Sequence, residues 1–267
     1  MGQGNVQSYQ YAHTKMLNWL RTYPVHNDKW GPFFEDVGDW SDTQINAVTM
    51  AMYIMDHPQI WGSSWQQDAR AALDWPIQVL GNDDWIEYGV QVMNEQTVYL
   101  APGNSHTSRQ ASMELRYAEL TGATMHIQNA VRQLSWATYM VDVDGKNFYM
   151  NDHIWLTDGY GDYVRHYLRA MAAAPYLAPD NQDHLLRTSS VVENISYQQT
   201  EISYQTFDNQ SWELLRVNTF FPTWITAGGQ VLPRLNHISD LDQQEGYTLG
   251  ADVNRASREQ LLRIPGL

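Results

Sequence analysis

The sequence predicts an α+β protein, with helical hairpins over residues 1–185 and a small antiparallel β-sheet or sandwich over residues 186–267. Two observations carry this. Before Leu185, apolar residues recur every three to four positions and are interrupted by proline or glycine, as in amphipathic helices. After it, short β-branched and aromatic stretches alternate with polar residues and are broken by Asx and glycine turns, as strands are.

The elements follow in order. Tyr9, His13, Met16, Leu17 and Leu20 form the stripe of a first helix that stops before Pro24. The loop from Trp30 to Trp40 is dense in aromatics and acids. Its Glu35, Asp36 and Asp39 either line a cleft with Trp30 and Trp40 or are solvated loop acids. Ser41-Asp42-Thr43-Gln44 reads as a capping box, with Gln44 reaching back to the helix start. Behind it Ile45, Val48, Met52 and Met55 mark a second helix that Pro58 ends. A third starts near Ser64 and carries Trp65, Ala69, Ala72 and Leu73, with Pro76 expected to kink or end it. Gly81 to Asp84 is a turn, and Tyr88 to Tyr99 is β-prone. A fourth helix runs from Ser105 to Thr121-Gly122, and Ile127, Val131, Leu134 and Thr138 mark a fifth. Asp144-Gly145 between two β-prone runs predicts a hairpin, in preference to a calcium loop. A sixth helix runs from about Gly161 to Ala174. Strands are expected at 191–197, 201–207, 212–217, 223–226 and 260–264, with turns at Asp208-Asn209 and Gly228-Gly229.

Composition narrows the function classes. The net charge of −14 opposes nucleic acid and anionic membranes, which are bound by cationic side chains displacing counterions. The chain contains no cysteine, so disulfides, thiolate nucleophiles and cysteine-ligated metals are excluded. There is no apolar run near the length a transmembrane helix needs, and residues 1–5 carry no secretory signal pattern. A secreted or periplasmic setting is compatible with this, because a signal can be removed. The aromatic inventory is weighted to polar-tipped rings, with 11 Trp and 16 Tyr beside 6 Phe. Such rings suit half-wet surfaces, and sugars, with apolar C–H faces and hydroxyl rims, are one ligand class that these surfaces hold. Packing the core is the other use of the same residues.

Chemistry-bearing residues concentrate between Asn94 and Tyr167. His106, Arg109, Gln110, Met113, Tyr117 and Leu120 share one face of the fourth helix, polar in its first turn and apolar beyond. That first turn also presents free N–H groups and the positive end of the helix dipole, so an anion is well received there. Alternatively, Arg109 pairs with a structural acid such as Glu95 or Glu114, and His106 is a core histidine. Glu95 ends an apolar run, where desolvation would raise its pKa. Asp158 either caps the sixth helix or does chemistry. Asp158 and Asp162 lie four apart, so one could respond with a raised pKa. His166 lies one turn past Asp162, and Arg165 is a neutraliser in reach. The histidines have no metal-binding spacing, and Ser105 and Ser108 lack a nucleophile elbow's glycine frame, so neither a metal, another cofactor nor a serine nucleophile is expected. The catalytic candidates are therefore Glu95, His106, Arg109, Asp158, Tyr160 and Asp162. The substrate-binding candidates are Trp30, Trp40, Asn104, Gln110, Asp152, Trp155 and His166.

Helical hairpins with aromatics and acids on their loops, followed by a β domain, resemble the (α/α)-toroid carbohydrate enzymes, which include six-hairpin glycosidases and toroid polysaccharide lyases. The likeness is architectural and covers about residues 6–265. It implies a glycan held across the loop face. In the hydrolases of this group two carboxylates do acid/base work, here drawn from Glu95, Asp158 and Asp162. In the lyases, Asn, His, Tyr and Arg neutralise a uronate and abstract the proton at C5, with Tyr160 or His106 here as base and Arg109 on the carboxylate. A glycan-binding module without turnover is the third expectation. The chain departs from the pattern in helix number: about six are expected, where a closed ring needs about twice that at usual helix and loop lengths. The expectation is an open, partial toroid, a ring closed by a second subunit in a homo-oligomer, or a ring completed by further N-terminal chain.

Overall fold

The computed structural model describes residues 5–32, 40–139, 161–178, 181–207, 211–250 and 259–264, with backbone alone at 161–162 and 259–264. It is an α+β protein, helical first and then built of small antiparallel sheets. Two compact units divide it, Met1–Ala173 and Ala174–Leu267.

In the helical unit, Asn5 caps α1 (Val6–Leu20) by accepting the N–H groups of Gln7 and Ser8. α1 ends at Leu20, before Pro24 as expected, but the chain keeps winding as a π-turn over Arg21–Val25 that contains Pro24. Arg21 holds that turn by donating to the carbonyls of Ile60 and Trp61 and by lying over the Trp61 ring. Next come α2 (Gln44–Asp56), the single turn α3 (Pro58–Trp61) and α4 (Trp65–Val79). Pro76 does not end α4, which runs on to Val79 and closes with Leu80 N–H donating to the Pro76 carbonyl. Ala47 and Ala51 of α2 and Ala69 and Ala72 of α4 are fully buried, and their small side chains let the two helices approach closely. Ile54, Met55, Leu73 and Leu80 fill the space around them. Each large apolar side chain buried this way contributes about 1.5–3 kcal/mol of transfer free energy.

The β-prone run after α4 forms only a two-residue ladder, β1 (Gly81–Asn82) with β2 (Val92–Met93). Then come α5 (Asn104–Thr121), α6 (Ile127–Tyr139) and α7 (Gly161–Ala173). Gly122 ends α5 in the left-handed conformation at φ 75°, which a β-carbon would strain. α5 packs against α2, α4, α6 and α7. Residues Asn104 to Leu115 are all buried, so α5 is a central helix whose buried surface is largely polar. The hairpin expected around Asp144-Gly145 lies outside the described residues. No helix among the described residues is long and apolar enough to cross a membrane.

The second unit contains a four-stranded antiparallel sheet in the order β3 (His184–Thr188), β6 (Ser211–Arg216), β10 (Glu259–Ile264), β9 (Gly246–Leu249). Two separate hairpins accompany it, β4 (Val192–Gln198) with β5 (Glu201–Thr206), and β7 (Thr226–Ala227) with β8 (Gln230–Val231). Gly228 and Gly229, at φ 56° and 79°, make the β7–β8 turn, where both central residues need positive φ. β3 was not expected, and it runs across residue 185. Leu215, Val217, Leu232 and Tyr247 form this unit's apolar core.

Candidate functional site

The segment 94–97 is a spur clamped on both sides. Asn94 N–H donates to the Leu80 carbonyl and Glu95 N–H to that of Ala101. The Glu95 carbonyl accepts the Gln44 N–H at 2.9 Å and the Thr43 hydroxyl at 3.1 Å. Thr97 and Asp42 exchange two further bonds. The start of α2 is thus spent on holding the spur, which changes its cap. Thr43, not Ser41, is the N-cap, accepting the Ile45 N–H.

The spur sets the Glu95 carboxylate 3.4 Å from His106 Nε2 in the first turn of α5. Gln44 completes the group. Its Nε2 donates to the His106 carbonyl at 3.0 Å, and its Oε1 accepts from Arg109 at 3.0 Å. The expectation for Gln44 was a helix cap; its amide instead crosses to α5 and ties His106 to Arg109. Asn104 opens the helix and is buried, with no partner for its Nδ2 among the described residues. Thr107 accepts the Met93 N–H at 3.1 Å and so anchors β2 to the same turn.

Desolvation alone would raise the Glu95 pKa, as expected from the sequence. It is outweighed: burial pushes the carboxyl up, but the His106 hydrogen bond and the charges of His106 and Arg109 pull it below the ordinary carboxylate value. Glu95 is therefore a carboxylate at neutral pH and not a proton donor. With 17% of its side chain exposed, it is more accessible than His106 at 7%.

The first turn of α7 lies at this end of the unit as well. Val90, Val92, Trp136 and Ala137 form a cluster on which Tyr163 packs, and the Tyr163 hydroxyl meets Thr138 Oγ1 at 2.7 Å. Val92 adjoins Met93, which is bonded to Thr107. The beginning of α7, the end of α6 and the beginning of α5 therefore converge on β2. Asp162 is the second residue of α7, and its side chain lies outside the description. Asp152, Trp155, Asp158 and Tyr160 also lie outside the described residues.

The structure brings together Glu95, His106 and Arg109, with Asn104 at the start of the same helix. The remaining described candidates have other surroundings. Trp30 is a core residue, 2% exposed and packed on Trp75 with ring centroids 6.1 Å apart. Gln110 is buried and donates its amide to the Leu73 carbonyl and to Glu114. His166 is buried on α7, on the helix that packs against α5. Glu114 does not pair with Arg109; it takes a two-pronged bond from Arg70 at 2.6 and 2.7 Å. Trp40 is 47% exposed and donates to Asp42, whose backbone is bonded to Thr97 two residues past Glu95. Among the described residues no group of His, Asp and Glu is arranged to hold a metal ion.

No protein-family model matches this sequence, and no curated protein matches it.

Proposed function

We propose that the chain is a carbohydrate-active enzyme of the partial (α/α)-toroid type that cleaves a uronate-containing glycan by β-elimination. The observation that supports it is His106 in the first turn and Arg109 in the second turn of one buried helix that Asn104 opens, with Glu95 against the imidazole. An imidazole that donates through Nε2 to a carboxylate accepts through Nδ1, the tautomer a base needs. Arg109, the Asn104 amide and the helix N-terminus together favour a carboxylate ligand locally, in a chain whose overall charge would repel one. In this reading Arg109 and Asn104 hold the uronate carboxylate and His106 takes the C5 proton. The electron pair forms the C4=C5 double bond as the C4–O bond breaks, and the departing oxygen takes up a proton, for which Tyr160 is the candidate. Trp40 is an aromatic surface for a neighbouring sugar.

A second reading, glycoside hydrolysis, draws on the ionised Glu95 as base or nucleophile, with Asp158 or Asp162 as acid. The two readings part on their products. The elimination reading expects the intact protein to release unsaturated fragments, absorbing near the ultraviolet edge, from polygalacturonate, alginate or hyaluronan, and His106→Ala and Arg109→Ala to abolish the release. Reducing ends without ultraviolet absorbance favour hydrolysis. Binding of these polymers without any cleavage leaves a glycan-binding module.

A further inference from the structure

The second unit contains a pocket that the catalytic reading does not use. It is a hollow of about 320 Å³, open to solvent, between the start of β3 and the β4–β5 hairpin. That is the lower end of small-ligand pockets, which run from about 300 to 1,000 Å³. Its floor is rigid. Asp183 Oδ1 accepts the N–H groups of Asn218 at 2.5 Å and Thr219 at 3.0 Å, and Oδ2 accepts the Thr219 hydroxyl. The carboxylate is thereby occupied by the protein's own donors and is not left to recruit a cation.

One wall is Tyr197. Its hydroxyl accepts the Leu185 N–H at 3.0 Å, and its ring stands edge-on to His184 at 5.6 Å between centroids. The ring is thus pinned at its tip, yet 43% of the residue remains exposed. A fixed aromatic face open to solvent has paid its ordering entropy in advance. The rim carries the carboxamides of Asn181, Gln182, Gln198 and Gln199. None of these side chains makes a hydrogen bond among the described residues. His184 Nε2 is buried with no partner among the described residues.

We propose that this pocket binds a neutral sugar residue of an oligosaccharide, stacked on Tyr197 and hydrogen-bonded by the carboxamide rim. The chemistry selects the class. Carboxamides both donate and accept, as hydroxyls do, so each can serve a sugar hydroxyl in either sense. The pinned ring suits the apolar C–H face of a pyranose. No lysine or arginine lines the pocket, and Asp183 adds negative charge, so a uronate or phosphate is disfavoured. The ligand thus differs in charge from the one proposed at α5, and the inference does not rest on catalysis there.

The test is titration of the intact, ¹⁵N-labelled protein with cellotetraose, maltotetraose, mannotetraose and xylotetraose at millimolar concentrations, read by amide shifts. The expected result is saturable shifts with at least one of them at His184, Leu185, Tyr197 and Gln199. Tyr197→Ala should weaken binding by about tenfold, the loss of one stacking face. Gln199→Ala should weaken it by about threefold, and removes a side chain that makes no hydrogen bond among the described residues. Tyr197→Phe keeps the ring but loses the Leu185 bond that pins it, and should bind more weakly than the parent and more tightly than Tyr197→Ala. The inference is overturned if none of the four shifts these residues, if shifts gather only around Glu95 and His106, or if Tyr197→Ala and Gln199→Ala both bind as the parent does.

Discussion

Glu95 Oε1 lies 3.4 Å from His106 Nε2, and the pair joins a loop spur to the first turn of the central helix. The relationship predicts a pH signature. The Glu95 carboxyl is held below its ordinary value of 4.5, so its contribution to stability is fully present above that value. It is lost as pH falls from there through the folded-state pKa, where the carboxylate takes up a proton. Glu95→Gln should therefore destabilise the chain by about 1–2 kcal/mol at pH 7, the net worth of a charge-assisted hydrogen bond in a partly buried place. The gap between variant and parent should close on acidification. Urea unfolding at a series of pH values measures it; a gap that stays constant from neutral pH to below the carboxylate range would show that His106 does not hold the charge.

Arg70 of α4 and Glu114 of α5 make a two-pronged ion pair at 2.6 and 2.7 Å. Burial alone would lower the Arg70 pKa, but the bonds and charges of Glu114 and Asp74 hold it above the ordinary value. Glu114 is buried and also accepts from Gln110 at 2.9 Å, so Glu114→Ala strands two donors. The expected cost is about 3 kcal/mol, because removing one partner of a buried pair leaves the other uncompensated. Asp74 meets Arg70 at 2.9 Å but is half-exposed and four residues along the same helix. Asp74→Ala should cost under about 0.5 kcal/mol. Denaturant midpoints for the two variants decide it, and equal losses would mean that the α4–α5 pair is not the anchor.

The six longer helices among the described residues were legible because their stripes and stop signals are local. α5 and α7 begin and end within a residue or two of where the sequence places them. What stayed illegible depended on partners distant in sequence. Gln44 looks like a cap from its neighbours, yet its acceptor is 62 residues away in α5. Glu95 looks desolvated from its apolar approach, and only the fold supplies His106 and Arg109 to reverse that effect. Tyr88 to Tyr99 carries β-prone residues, but a spur docked on α2 satisfies its backbone in place of a longer ladder. His106 and Arg109 could be paired from helix periodicity alone, whereas the choice of Glu95 over Glu114 as their acid needed the tertiary structure.

Trp30 and Trp40 flank one loop and have opposite environments. Trp30 lies in the core against Trp75, so Trp30→Ala opens a cavity and should cost about 3–5 kcal/mol. Trp40 is exposed, and Trp40→Ala should change stability by no more than about 0.5 kcal/mol. Its effect should appear in function: a KM on the cleaved glycan raised about three- to tenfold, as for losing one aromatic contact, with kcat nearly unchanged. Thermal unfolding and initial rates on the two variants separate the roles. A Trp40→Ala protein with parental KM would remove Trp40 from the sugar surface.

Glu213 shows the reverse of the Glu95 behaviour. It is fully buried on β6, with Thr188 Oγ1 at 3.3 Å. Burial pushes its carboxyl above the ordinary 4.5, and the hydroxyls of Ser211 and Thr188 offset only part of that. Tyr204 reports the same setting, its hydroxyl pushed up by burial and by the Glu213 charge. The sign follows from linkage. A raised folded-state pKa gives a contribution fully present below 4.5 and lost as pH rises through the folded value, where the buried acid must ionise. Glu213→Gln keeps the shape and removes the charge, so at pH 7.5 it should stabilise the chain by about 1 kcal/mol. Below pH 4.5 parent and variant both carry a neutral group, and the difference should vanish. Urea unfolding of the intact chain at pH 4 and pH 7.5 reads both limbs. A Gln variant less stable than the parent at pH 7.5 would mean that the sheet stabilises the carboxylate and does not disfavour it.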